Sequence, residues 1–150
     1  STLGNASEYS LKPAMTLKAK LSLVKKAPKS SAVGYGGTAI LKSDTYLGVV
    51  VLGYSDGIPR GTTSSAGVSH KGIKAPLVGR VSMDQFVVDL GKDSSARSGD
   101  WAYLIGNETV TSMGNENSVG YTADSWADAS GTINYEIVTR IGPRVPRIYN

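Results

Sequence analysis

A mainly β fold, a barrel or sandwich with one or two short helices, is what the 150-residue sequence predicts. Short runs of alternating or β-branched apolar residues recur along the chain, as half-buried strands require. Turns rich in Gly separate them, and the chain holds 18 Gly. Only two segments, both near the C-terminus, carry the chemistry of a helix start. Many short strands with such punctuation belong to barrels and sandwiches.

Each element has its own warrant. Residues 1–13 are polar, aperiodic and closed by Pro13, which reads as a linker. In residues 15–24, Met15, Leu17, Ala19, Leu21 and Leu23 share one face, and Thr16, Lys18, Lys20 and Ser22 the other, as in a strand. Residues 25–31 form a basic loop. Residues 33–37, Val-Gly-Tyr-Gly-Gly, make a turn into a strand near 38–42. The apolar run 46–52 fits a central strand buried on both faces. Residues 53–65 form a loop holding Asp56-Gly57 and Pro59, and Val68 and Ile73 flank a hairpin turn at His70-Lys71-Gly72. Residues 75–90 hold one or two strands whose alternation changes phase at Asp84-Gln85, the mark of a bulge or bend. Residues 101–105 form another strand. Helices are expected at 122–129, capped by Thr122, and at 132–139, capped by Thr132, with a closing strand at 145–149.

Composition removes whole classes of function. With no Cys there is no disulfide scaffold, thiolate metal site or cysteine nucleophile. The single His, His70, rules out multi-histidine metal sites and is given no role. The formal charge of +4 is uneven: residues 1–30 hold six Lys against Glu8 alone. Without interleaved aromatics these lysines read as a solvated strand face, with no nucleic-acid partner expected, and a basic binding module is the alternative. The apolar stretch 47–52 is far too short to span a bilayer. No signal-peptide pattern opens the chain, so no membrane partner and a cytoplasmic location are expected.

Three segments present Tyr beside Gly or at a helix start. Tyr35 stands between Gly34 and Gly36, either as support for a turn or with its hydroxyl free for proton transfer. A free tyrosine titrates near about 10 and needs a neighbouring cation or donor to act as a base. Tyr54 and Arg60 share one loop, where Arg60 is either solvated or a carboxylate holder. Met83 and Asp84 sit at the phase slip, either as core and turn residues or with backbone N–H groups exposed to a carboxylate. Tyr135 falls in the first turn of a short helix, either as a packing contact or as a phosphate ligand. No Ser/His/Asp arrangement or phosphate loop is present.

Five segments in this order resemble the C-terminal domain of alanine racemase. They are Val33 to Thr38, Gly53 to Gly57 with Arg60, Val78 to Gln85, Gly131 to Glu136, and Arg140 to Tyr149. The stretch from Leu11 to Ala19 resembles that family's opening segment, so the likeness runs from about 11 to 149. The resemblance implies a small Greek-key β-barrel domain at 14–150. It would belong to a pyridoxal 5′-phosphate enzyme that interconverts L- and D-alanine and supplies D-alanine for peptidoglycan. It implies that Tyr35 is the catalytic base on the L-alanine side and that the Met83 N–H holds the substrate carboxylate. Tyr54 and Asp84 would line the substrate entrance, with Arg60 and Ile133 further out, and Tyr135 would bind the cofactor phosphate. The cofactor lysine would lie on an N-terminal barrel domain outside this chain. The partners would be that domain and a second subunit of a homodimer, with Tyr35 serving the partner's site. Related serine racemases share the motifs. The isolated domain is expected to be inactive and, lacking a strand that relatives donate from their N-termini, to carry an open edge. One departure is Ala39, where relatives often carry a second aromatic.

Overall fold

The computed structural model describes residues 14–106 and 120–149, so the expected linker at 1–13 lies outside the described residues. Six antiparallel strands close on themselves. They are β1 (Leu17–Ala27), β4 (Thr45–Val50), β5 (Gly67–His70), β6 (Ile73–Val78), β7 (Phe86–Gly91) and β8 (Trp101–Ile105). Around the barrel the order is β1-β4-β7-β6-β5-β8. The meander β5-β6-β7 with β4 returning beside β7 is a Greek key. Between β1 and β4 the chain makes a separate ribbon of β2 (Ala32–Val33) and β3 (Ala39–Ile40). Two helices follow, α1 (Ala123–Ser130) and α2 (Asn134–Thr139).

Alternation puts Leu17, Ala19 and Leu21 of β1 in the core with Val50, Val68, Leu77, Phe86, Val88 and Leu104. The run at 46–52 is apolar because β4 has two buried faces. Val50 points into the barrel, while Leu47 packs outward beneath the ribbon with Ala27, Val33 and Leu41. Helix α1 plugs the core with Trp126, whose ring meets Phe86 edge-on at 5.8 Å and whose Nε1–H donates to the Leu104 carbonyl at 2.8 Å. The hairpin turn is made by Lys71 (φ 48°) and Gly72 (φ 77°), two successive left-handed residues of the kind that follow the sheet's twist.

Several expectations are corrected. β1 runs on to Ala27 because its ladder to β4 continues through Lys25 and Lys26, residues expected in a loop. A register shift between Leu21 and Leu23 turns Leu23 outward, where it is exposed. Thr132 does not cap α2. Gly131, at φ 67°, ends α1, and the Thr132 N–H closes that end by donating to the Ala127 carbonyl at 3.0 Å. The second helix therefore starts one residue later, with Ile133 as its cap, and the Thr132 hydroxyl donates to Glu136 instead. Residues 145–149 form no strand. Pro143 and Pro146 have no N–H for a ladder, and the Arg147 guanidinium donates to the carbonyls of Ile141, Gly142 and Val145. The barrel has no open edge among the described strands, since β8 pairs with β1. Its weakest seam is β5 to β8, whose ladder among the described residues has the single pair Ser69 and Tyr103, beside the His70 Nδ1 bond to the Trp101 carbonyl.

The lysines of β1 do find aromatic neighbours. The ammonium groups of Lys18 and Lys20 lie 4.6 and 3.8 Å from the centre of the Trp101 ring on β8, a pairing across strands that linear order hides. No helix among the described residues is long and apolar enough to cross a membrane.

The core makes a direct prediction. Phe86 is 1% exposed and supports the Trp126 ring. Phe86→Ala should lower unfolding stability by about 3–5 kcal/mol, measured by urea denaturation. A loss under about 1 kcal/mol would mean that Phe86 is not packed as described.

Candidate functional site

Antiparallel pairing gathers one set of loops at one end of the barrel. β4 and β6 finish there, and β5 and β7 begin there. The loop after β4 opens with a single 3-10 turn, Tyr54–Asp56, and the loop between β6 and β7 bends at Met83 and Asp84. That bend is the structural meaning of the phase slip. The ribbon leaves from the opposite end, where Ala27 pairs with Thr45, and lies along the outer wall against Val78 and Val87. Its tip thereby returns to the loop end. Gly34 there adopts φ 83° and lies against Gly79 and Arg80, so near that a Cβ would sit 3.4 Å from the Arg80 nitrogen. Tyr35, the next residue, is 88% exposed at the tip.

The two loops are locked by backbone bonds. The Tyr54 N–H donates to the Ser82 carbonyl and the Ser55 N–H to the Met83 carbonyl, both at 3.0 Å. The Ser55 hydroxyl adds a bond to the Met83 carbonyl at 2.6 Å. Gly53 permits this approach, because a Cβ on it would fall well inside 3.0 Å of the Met83 carbonyl. A trans peptide holds C=O and N–H on opposite sides. With the Ser82 carbonyl turned toward Tyr54, the Met83 N–H points away from that turn. Among the described residues it has no acceptor, and Met83 is exposed.

A charged node ties the same loops to the coil after α2. Asp56 is buried, and its Oδ2 accepts from the Gly53 N–H at 2.9 Å. Its Oδ1 accepts from Arg144 Nε at 3.1 Å and Nη2 at 2.9 Å. The same Nη2 donates to Asp84 Oδ1 at 2.8 Å and to the Ser55 hydroxyl, whose one proton is shared between the Met83 carbonyl and Asp84 Oδ1, 2.9 Å away. The Arg144 guanidinium and then the Ser55 hydroxyl hold the Asp84 carboxyl below its usual 3.8. Arg144 is raised in turn, by Asp84 first and then Asp56.

The node thus brings together Tyr54, Met83 and Asp84, with Tyr35 reaching the far side of the same loop. Helix α2 joins at its C-terminal end, where the Arg140 carbonyl packs on Gly57 and the Gly142 N–H donates to the Asp56 carbonyl at 2.8 Å. Ile133 and Tyr135 stand exposed at the start of that helix. Arg60 lies outside the network, exposed in the same long loop as Tyr54. No hydrogen bond among the described residues joins the hydroxyls of Tyr35, Tyr54 and Tyr135. Sequence reasoning missed Asp56 and Arg144 as site residues, although Asp56-Gly57 and the Arg140–Arg144–Arg147 run were both visible. Two clefts, of about 440 Å³ beside the ribbon and about 260 Å³ beside His70, are not lined by any of the predicted site residues.

The arrangement offers proton-bearing hydroxyls and a free backbone donor at one end of a barrel. Residues 14–149 match the sequence profile of the family described as alanine racemase, C-terminal domain. The chain belongs to that family. It is 47% identical over 147 residues to the alanine racemase of Streptomyces coelicolor, covering 98% of this chain and 35% of that protein. With the enzyme of Salinispora arenicola it shares 46% over 143 residues, 95% of this chain and 36% of the relative. Among solved structures, the alanine racemase of Streptomyces lavendulae superposes with a TM-score of 0.86 at 45% identity, over 99% of this chain and 37% of that one. The S. coelicolor structure gives 0.84 at 46%, over 98% and 36%. The chain therefore spans about a third of the length of the alanine racemases it matches.

The ion pair carries a pH prediction. A carboxyl whose folded pKa is depressed adds stability that is present above its unfolded value and lost as pH falls through the folded one. Asp84 is exposed and screened, so the effect on overall stability is small. Its own titration is the sharper observable. Side-chain carboxyl NMR should place the Asp84 midpoint below 3.8, and a midpoint at or above that value contradicts the pair.

Proposed function

We propose that residues 14–150 form the β-barrel domain of a pyridoxal 5′-phosphate-dependent alanine racemase, a cytoplasmic homodimer supplying D-alanine for the cell wall. The observation that carries this reading is the Met83 N–H, without an acceptor among the described residues, beside two pinned carbonyls and on the same loop that the Tyr35 tip packs against. A free backbone donor of fixed direction suits the carboxylate that both alanine enantiomers share.

Racemisation needs a proton removed on one face of the α-carbon and returned on the other. The Tyr35 side chain serves the L face, its phenolate oxygen taking the α-proton in one direction and its hydroxyl giving one in the other. Its place on an exposed ribbon tip lets it reach a site in a second subunit, which is why it need not approach Tyr135 of its own chain. The Met83 N–H holds the substrate carboxylate and fixes the α-carbon under the tyrosine. Tyr54 and Asp84 line the way in, with Arg60 and Ile133 further out. Tyr135, 73% exposed, offers its hydroxyl to the cofactor phosphate, and this donor fits an anionic group. The cofactor, when bound, disperses the charge left at the α-carbon. The opposing base is the cofactor lysine itself, which would belong to an N-terminal domain.

In the longer protein that contains this chain, Tyr35→Phe should slow α-hydrogen exchange from L-alanine by roughly a hundredfold or more, and from D-alanine far less. Equal loss in both directions, with cofactor binding intact, sinks the two-base assignment. The 150-residue chain mixed with pyridoxal phosphate should not racemise alanine. Activity from it alone would overturn the reading.

A further inference from the structure

We propose that Arg144 is a positioning residue for substrate binding: its guanidinium ties Asp84 to Asp56 and so holds the loop that aims the Met83 N–H. The inference rests on the reading of Met83 as the carboxylate donor. Three segments far apart in sequence meet at this one group. The coil after α2 supplies Arg144, the turn after β4 supplies Ser55 and Asp56, and the β6–β7 loop supplies Asp84.

The chemistry is suited to holding. Arg144 uses two nitrogens on Asp56 Oδ1, and one of them also serves Asp84. A planar guanidinium can bond in several directions within one plane, which an ammonium cannot do with the same fixed geometry. Without it, the buried Asp56 carboxylate and the Asp84 carboxylate would face each other with no cation between them. Repulsion would then push the β6–β7 loop off the 53–57 turn and loosen the bonds from Tyr54 and Ser55 that orient the peptides on either side of Met83. Tyr35 is held separately, by ribbon packing and by Gly34 against Gly79 and Arg80. Losing Arg144 should therefore weaken substrate binding and spare proton transfer. Because the carboxylate is common to both enantiomers, the weakening should be equal for L- and D-alanine.

The test uses the full-length enzyme. Arg144→Met should raise KM for both enantiomers by about tenfold or more, with kcat changed by less than about threefold and cofactor absorbance unchanged. Arg144→Lys, which keeps the charge and loses the fork, should fall between. Asp84→Asn should raise KM in the same direction, and the double variant should be no worse than Arg144→Met alone, since both changes act on one contact. If Arg144→Met does not fold, the KM of Arg144→Lys decides. A KM within about twofold of wild type, a rise for one enantiomer only, or additive effects in the double variant would overturn the proposal. The two readings fail separately. An unchanged KM in Arg144→Met, with the Met83 amide resonance still shifting when alanine is added, removes only the Arg144 role, whereas a Met83 amide resonance that alanine does not move removes the Met83 reading itself.

Discussion

Everything at the working end of this barrel depends on how closely the backbone at Gly53 approaches the carbonyl of Met83. No residue with a side chain carbon fits there, because that carbon would occupy the carbonyl's own space. The approach lets the Tyr54 and Ser55 N–H groups meet the two carbonyls on either side of the Met83 α-carbon. Two planar peptides fixed in this way turn the Met83 and Asp84 N–H groups away from the turn, and neither has an acceptor among the described residues. A loop of ordinary polar residues thereby becomes a directed donor. The cost is the burial of Asp56, which is balanced by the Gly53 N–H on one oxygen and Arg144 on the other.

The barrel itself contributes rigidity and direction. Its closure puts the ends of β4 and β6 beside the starts of β5 and β7, so loops distant in sequence share one rim. The ribbon works as an arm. A second apolar cluster on the outer wall holds it flat, and its glycine-rich tip extends past the wall with Tyr35 exposed. The opposite end is stitched for stability. There the His70 Nδ1 bonds the Trp101 carbonyl at 3.0 Å, tying the β5–β6 hairpin to the start of β8.

Much of this was legible in the sequence where a local rule and the tertiary structure agree. Thr122 caps α1 as its residue type at the head of that segment suggests, and the phase slip at Asp84-Gln85 marks the bend. The continuous apolar run through β4 announced burial on two faces, although the ribbon that covers its outer face could not be foreseen. Misses arose where distant partners overrode local pattern. Leu23 follows the alternation of β1 yet turns outward at a register shift, and Thr132 resembles a cap yet is used to close the preceding helix. Arg144 was one of several arginines in a proline-containing coil. Nothing local separates it from Arg147, which among the described residues bonds carbonyls of its own segment, and its importance comes from two carboxylates 60 and 88 positions away. Close motif spacing carried Tyr35, Tyr54 and Tyr135 to the family reading, while the network supporting them was invisible without coordinates.

Native-state amide hydrogen exchange on the 150-residue chain tests the central claim most directly, because it reads the direction of single peptides. The Tyr54 and Ser55 amides should be protected, and the Met83 amide between them in space should exchange close to the unprotected rate. A protected Met83 amide, or unprotected amides at Tyr54 and Ser55, would contradict the account that the Gly53 turn fixes this loop and leaves its donor free.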